Sequence, residues 1–425
     1  MRSSAKKNAK NFRDFVSDLK GAFVISTLYR GSVKDLLGPV QVPSGPAIIF
    51  EYSDAFSVFD WGRMPDLLPH KGEALAILAA HLFERLEDPQ VWRDFSKSPE
   101  ALALRKANRF GAVFNELGEE LQADGLRTHY LGVLDSPSGP PRTEPGLETK
   151  NASQATQPFR RMLVREVSVV KPVFTSVLGR TLPDYDSTRN STLPRLVPLE
   201  VVFRMECPAG SSLLDRVARD PGYLASLGFP DLRIEPGQKW SFPVLEFFTK
   251  LETTDRPVPL SEALAISGLT ATQLQEVLLK TAWVSGILKF WFARIGLELA
   301  DGKLEWAIAE DGRCFLVDAI GPDELRILKD GLQLSKEFLR SFYRPTSWYR
   351  NVEKAKLQAQ TQGSTEWKRL VPEGPPALPH AYRELATHVY LALTNELTGK
   401  KWFAEAWSLD LVLQKLRILQ EGRAL

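Results

Sequence analysis

Acidic and basic side chains crowd into residues 300–326, read as Ala-Asp-Gly-Lys-Leu-Glu-Trp, Ala-Ile-Ala-Glu-Asp-Gly-Arg-Cys-Phe-Leu-Val-Asp, and Ala-Ile-Gly-Pro-Asp-Glu-Leu-Arg. Asp311-Gly312 predicts a tight two-residue β-hairpin, because a type I′ turn needs positive φ at both central positions. Such a turn makes Glu310 and Arg313 the first pair outside it. Counting outward sets Glu305 opposite Asp318. Side chains alternate along a strand, so Asp301, Lys303 and Glu305 share one face, and Asp318 joins them. Two carboxylates directly across a ladder repel. A cation between them relieves the repulsion, and Mg²⁺ held by carboxylates plus phosphate is the commonest such arrangement. The plain alternative is an exposed hairpin with hydrated charges. Pro322-Asp323 and Arg326, just beyond the second strand, weigh toward a site.

Other stretches offer cations where an anion could rest. Gly31 lies between two predicted strands with Lys34 three residues on, a turn able to cover phosphate with a lysine counter-charge. Pro69-His70-Lys71-Gly72-Glu73 opens a predicted helix over Ala74–Leu86, whose N-terminal amides and Lys71 could meet an anion. Val197–Arg204 reads as a short apolar strand ending in arginine. It runs into Cys207-Pro-Ala-Gly-Ser211, small enough to wrap an anion. The five histidines are scattered, no Ser/His/Asp pattern is present, and no His pair has metal spacing. Lysines, arginines, glycine-rich turns and a carboxylate pair suit nucleotide phosphate chemistry, in which a protein positions and neutralises charge. By this reasoning alone the chain is an ATP-dependent phosphoryl-transfer enzyme, either kinase or ligase.

These residues need a scaffold. The chain has 425 residues, enough for two or three packed lobes. Its formal net charge of +2 argues against nucleic acid as the main partner. Cys207 and Cys314 match no disulfide or metal spacing, which suits a reducing compartment. Met1–Lys20 is basic without an apolar core, so no secretory signal is expected. No stretch is apolar enough to span a bilayer, and a cytoplasmic protein without a membrane partner is expected. Strands are predicted at Ala22–Tyr29, Ala47–Tyr52, Arg161–Val169 and Val197–Arg204. The longest amphipathic helix is predicted over Thr270–Ile295, and a late one over His380–Leu397. Asp135–Phe159 reads as a long polar loop, and Leu182–Leu193 as a polar connection. Trp402–Leu425 reads as a helical appendage.

Taken in order, several motifs resemble the SAICAR synthetase (phosphoribosylaminoimidazole-succinocarboxamide synthase) family. They are Tyr29-Arg-Gly-Ser-Val-Lys34, Asp54–Asp60, Lys71-Gly-Glu, Thr128-His129, Val197–Arg204 with Gly210-Ser211, Thr249-Lys-Leu-Glu252, Asp301-Gly-Lys-Leu-Glu305, Asp318 with Pro322-Asp323 and Arg326, and Ser335–Arg340. The resemblance spans Leu28 to about Trp402. It implies an α+β, two-lobed fold with antiparallel sheets, flanking helices and an ATP cleft between lobes. The implied divisions are an N-terminal extension 1–27, an ATP-binding lobe 28–196 with inserts near 87–122 and 136–160, a substrate and Mg-ATP lobe 197–402, and a helical tail 403–425.

The implied reaction joins L-aspartate to the carboxylate of CAIR, a carboxylated aminoimidazole ribotide, using ATP and Mg²⁺ through an acyl phosphate. By the resemblance Lys34 and Lys250 meet ATP phosphates, Glu200 and Val202 lie on the adenine strand, and Glu305 with Asp318 hold Mg-ATP. Arg204, Ser211 and Arg326 would hold the ribotide phosphate. Asp301 and Lys303 would face the reacting groups. Lys336 and Arg340 would face substrate anions, and Lys71 the aspartate or imidazole substrate. Ser32 stands where a second lysine is usual, and Ala319 where an acid is usual. Trp306-Ala307 replaces Phe-Gly. A divergent paralogue ligating an amine to a related heterocyclic carboxylate, or a nucleotide-binding protein without catalysis, is the alternative. Homo-oligomerisation stays open.

Overall fold

A computed structural model describes residues 25–107, 111–134, 149–252, 254–361 and 366–421. Most of the N-terminal extension, and the 136–160 insert up to residue 148, lie outside the described residues. The first sheet comprises β1 (Ser26–Arg30), β2 (Lys34–Val42), β3 (Gly45–Tyr52), β4 (Tyr130–Leu134) and β5 (Arg161–Arg165). It is antiparallel, in the order β1-β2-β3-β5-β4. A separate hairpin, β6 (Val173–Val177) with β7 (Arg180–Asp184), lies outside the predicted strands, and its second strand runs into the start of the polar connection expected at Leu182–Leu193.

The second sheet holds β8 (Arg195–Cys207), β9 (Gln238–Thr249), β10 (Pro257–Val258), β11 (Glu298–Ile308), β12 (Cys314–Val317), β13 (Leu325–Lys329) and β14 (Leu332–Gln333). Its order is β10-β9-β8-β11-β13-β14, with β12 also on β11. One edge of β11 lies along β8. Its other edge is divided: residues 298–302 pair with β13, and residues 305–308 pair with β12. The connection 318–324 leaves one partner and returns as the other, so it passes beside the part of β11 that neither covers.

Alternation sets the two faces of this sheet. Val197, Leu199, Val201 and Phe203 of β8, with Leu304, Trp306 and Ile308 of β11, enter the main core. The helix Ala271–Arg294 packs there, and Trp306 Nε1 donates to Thr281 Oγ1 at 3.1 Å. That helix starts at a reciprocal cap: Thr270 Oγ1 accepts from Gln273 N at 3.2 Å while Gln273 Oε1 accepts from Thr270 N at 2.9 Å. Gln273 Nε2 also donates to Gly312 O at 2.7 Å, which ties the helix start to the β11–β12 tip. Glu200, Val202, Arg204, Asp301, Lys303 and Glu305 are left on the opposite face.

The first sheet is brought to this face by backbone bonds. His129 N donates to Leu316 O and Leu316 N to Arg127 O, each at 3.0 Å, which fastens β12 beside the segment leading into β4. The helix Lys71–Glu87 is almost wholly buried and packs against His380–Thr398. Gly72 makes this approach feasible, because a Cβ there would lie 2.7 Å from Tyr52 O. No helix among the described residues is long and apolar enough to cross a membrane.

Candidate functional site

Three strands place an arginine row across the second sheet. Asp301 on β11 is in register with Arg204 on β8 and with Arg326 on β13. Its Oδ2 lies 3.3 Å from Arg204 Nη1, and its Oδ1 3.5 Å from Arg326 Nε. Arg204 Nη1 also approaches Ser211 Oγ at 3.4 Å, and Ser211 caps the helix Ser212–Arg219. Carboxylates behind the row fix both guanidinium groups. Buried Glu246 pairs with Arg204, with Arg216 at 2.7 Å, and accepts from Tyr223 Oη at 2.8 Å. Glu337 lies 3.9 Å from Arg326 and 3.1 Å from Arg340, and also pairs with Arg344. Five arginines around three acids leave net positive charge, which suits an anion.

One step along the same face is a lysine–carboxylate cluster. Glu200 Oε1 lies 2.7 Å from Lys303 Nζ and 3.2 Å from Lys250 Nζ. Glu305 Oε1 lies 2.5 Å from Lys250 Nζ and 3.6 Å from Lys303 Nζ. Lys34, at the start of β2, crosses from the first sheet to pair with Asp318, and its ammonium lies 4.2 Å from the Phe50 ring centroid. Val202 is opposite Lys303 in the same ladder. Burial would raise the Glu200 carboxyl, but Lys303 and Lys250 outweigh it and hold it low. Burial likewise opposes the Asp318 charge, and Lys34, Lys250 and Lys303 keep it ionised. Glu305 responds differently: burial and then the Asp318 charge push it up to about 7.

The hairpin differs from expectation in register. Ala309 O accepts from Gly312 N, and Ala309 N donates to Arg313 O, each at 3.0 Å, so the loop is Glu310–Gly312. Gly312 has φ +79°, the left-handed residue that closes a three-residue loop. Glu305 therefore opposes Val317, not Asp318. Asp318 takes φ +70° and turns the chain at the strand end, so its carboxylate still interacts with Glu305. His129 supports this bend as a neutral core residue. Burial and the Lys34 charge lower it to about 3, its ring hydrogen-bonds the Asp318 backbone, and Phe50 and Phe83 flank it.

Glu305 and Asp318 fit a divalent cation. They are mutually repelling carboxylates in one buried neighbourhood, and each is neutralised by a lysine in the cation's place. Among the described residues no group of three or more His, Cys, Asp or Glu could hold a metal ion. Two protein carboxylates with the remaining positions left to phosphate and water is the habit of Mg²⁺.

Lys71 does not reach this face as an open ligand. It is wholly buried, 2.9 Å from Asp323 Oδ2 and 3.3 Å from Ala55 O, with Tyr390 Oη donating to Asp323 Oδ1 at 2.7 Å. Burial would raise Asp323, but Lys71 and Lys336 bring it down to about 2. Lys336 and Arg340 lie at the start and on the second turn of the helix Lys336–Tyr343. They are half-buried and close to each other. Sequence reasoning passed over Glu246, Glu337, Arg216, Tyr390 and Glu324. Glu246 had one available signal, an acid alternating in phase with Lys250 inside an apolar strand.

The class follows from the architecture. The chain has the α+β fold of the SAICAR synthase from Saccharomyces cerevisiae, solved in complex with SAICAR, at a TM-score of 0.52 and 19% identity, over 90% of this chain and 97% of that one. At that identity the likeness establishes fold alone. The SAICAR synthetase family description matches residues 148–355. An Archaeoglobus fulgidus protein described as "Putative phosphoribosylaminoimidazole-succinocarboxamide synthase" is 32% identical over 392 residues, which is 92% of this chain and 100% of that relative. A Thermoplasma acidophilum phosphoribosylaminoimidazole-succinocarboxamide synthase is 26% identical over 88% of this chain and 98% of its own. The chain belongs to the SAICAR synthetase family.

Proposed function

We propose that this protein is an ATP- and Mg²⁺-dependent ligase that joins L-aspartate to the carboxylate of CAIR, giving SAICAR, ADP and phosphate in de novo purine biosynthesis. The observation that carries the reading is the joining of two anion-holding groups on one face of β11. The arginine row is centred on Asp301, and the lysine cluster on Lys303 and Glu305. A ribotide phosphate held by Arg204, Ser211 and Arg326 leaves its heterocycle directed along β11 toward the lysines. Lys34 and Lys250 then meet the nucleotide phosphates, beside the β8 segment carrying Glu200 and Val202.

Bound Mg²⁺, held by Glu305 and Asp318, would draw charge from the phosphoryl oxygens. Lys303 orients the CAIR carboxylate toward the terminal phosphate, and Asp301 fixes the two arginines that position the ribotide. The carboxylate oxygen attacks the terminal phosphorus of ATP, the bond to the bridging oxygen breaks and ADP leaves, giving an acyl phosphate; the aspartate amine then displaces phosphate from it. Lys336 and Arg340 supply charge for the aspartate carboxylates. Holding three anionic partners together, with little covalent work by the protein, is how such sites lower a barrier. The test is ATP consumption by purified protein. Turnover requiring CAIR, L-aspartate and Mg²⁺ together supports the reading, and its absence with all present refutes it.

A further inference from the structure

Most acids facing the site are neutralised in pairs; the exposed Asp255, near Glu200, and the more enclosed Glu324 are not. Asp301 has Arg204 and Arg326, Asp318 has Lys34, Glu305 has Lys250, Glu200 has Lys303, and Asp323 has Lys71. Glu324 has no side-chain hydrogen-bond or ion-pair partner among the described residues. Its place is defined by the ladder. Asp301 pairs with Arg326 and Gly302 with Leu325, and Lys303 N donates to Glu324 O at 3.1 Å. Glu324 thus lies across from Lys303, one step from the arginine row and on the same face. It lines a small cavity with Lys34, Tyr52, Ala319 and Gly321. The Tyr52 hydroxyl there is buried and unpartnered.

We propose that Glu324 is the proton acceptor for the incoming amine of the ligation, a role that rests on the ligase reading above. An amino-acid donor arrives as an ammonium ion, which cannot attack a carbonyl until it loses a proton. An unpaired carboxylate across from Lys303 attracts that cation and takes its proton. The N–H bond breaks, its electrons stay on nitrogen, and the proton moves to a Glu324 oxygen. The free amine then bonds to the acyl carbon. The bond from that carbon to the phosphate oxygen breaks, phosphate leaves with the electron pair, and it carries away the second proton as the amide forms.

The charged groups facing Glu324 are Asp318 and Asp323, which disfavour its ionisation, and Lys303, Lys34 and Lys336, which favour it. Burial, then Asp323 and Asp318, push the carboxyl up to about 7, within reach of proton exchange near neutrality. A third metal ligand is the competing role, since Glu324 shares its cavity with Ala319. The carboxylates do not converge for it: among the described residues no three could hold one ion.

The experiment compares two nucleophiles on the full chain with CAIR, ATP and Mg²⁺. Hydroxylamine is uncharged at neutral pH and captures an acyl phosphate without a base, giving a hydroxamate. In E324Q, ligation of L-aspartate should fall about 100-fold or more in kcat. Hydroxamate formation should stay at the wild-type level, and the aspartate rate should recover as pH rises and frees the amine. If E324Q does not fold, Glu324→Asp keeps the carboxylate on a shorter arm and should lose only the aspartate reaction. Wild-type aspartate ligation by E324Q overturns the proposal. So does an equal loss of both products, which would mark Glu324 as a metal or nucleotide ligand. A wild-type protein that makes no ATP-dependent hydroxamate overturns the ligase reading itself.

Discussion

Asp323→Asn should destabilise this protein more than any surface change, because it strands a lysine in the core. The Lys71 side chain is 0% exposed and that of Asp323 3% exposed, with 2.9 Å between them. The Tyr390 ring centroid lies 5.0 Å from the ammonium, which also donates to Ala55 O at 3.3 Å. Removing one member of a buried ion pair costs about 3–5 kcal/mol, mostly for the charge left behind. Asparagine keeps the shape and an acceptor for Tyr390, so about 3 kcal/mol is expected for Asp323→Asn. Removing the stranded charge as well, in Lys71→Met with Asp323→Asn, should restore about 2 kcal/mol. Urea unfolding of wild type, both single variants and the double variant gives all four values. A cost below about 1 kcal/mol for Asp323→Asn, or additive single effects, would refute Lys71 as a buried strut.

Glu246→Gln should loosen Arg204 and Arg216 together, raising KM for the ribotide more than it lowers kcat, with Glu246→Asp recovering part of the loss; steady-state kinetics decides. Lys34 pairs with Asp318, the carboxylate proposed to hold Mg²⁺, so Lys34→Met should tighten Mg²⁺ binding without nucleotide and weaken ATP binding with Mg²⁺, read by calorimetric titration. Glu87 is pushed up to about 7 by burial, against the lowering effect of its Thr128 hydrogen bond. The folded state then holds a proton that the unfolded chain releases near 4.5, so stability falls as pH rises from about 4.5 to 7. Glu87→Gln should remove about 2–3 kcal/mol of that fall, seen as a flatter dependence of urea midpoint on pH.

Much of the fold was legible because period and punctuation agreed. The apolar spacing that predicts a helix over Thr270–Ile295 matches one observed at Ala271–Arg294. Strand alternation correctly put Asp301, Lys303 and Glu305 on one face. Register was not legible, since Asp311-Gly312 serves a two-residue turn and a three-residue loop equally well. A one-residue slip then moved Asp318 out of line, and only its left-handed backbone brings it back. Lys71 was misread for a different reason. A lysine at a helix start looks like an anion site, and its partner Asp323 is 252 residues away in sequence. Leu178-Gly179 turns the β6–β7 hairpin with φ +51° and +73°. It was hidden because its strands present no buried residue and so no apolar face to alternate.

The most direct measurement is product formation from CAIR, ATP, Mg²⁺ and L-aspartate by wild type and Asp318→Asn. The account predicts one ADP and one phosphate for each SAICAR formed by wild type, no ATP hydrolysis when CAIR is omitted, and near-complete loss in Asp318→Asn. Wild-type protein that binds ATP yet forms no amide, or Asp318→Asn protein that turns over normally, would contradict it.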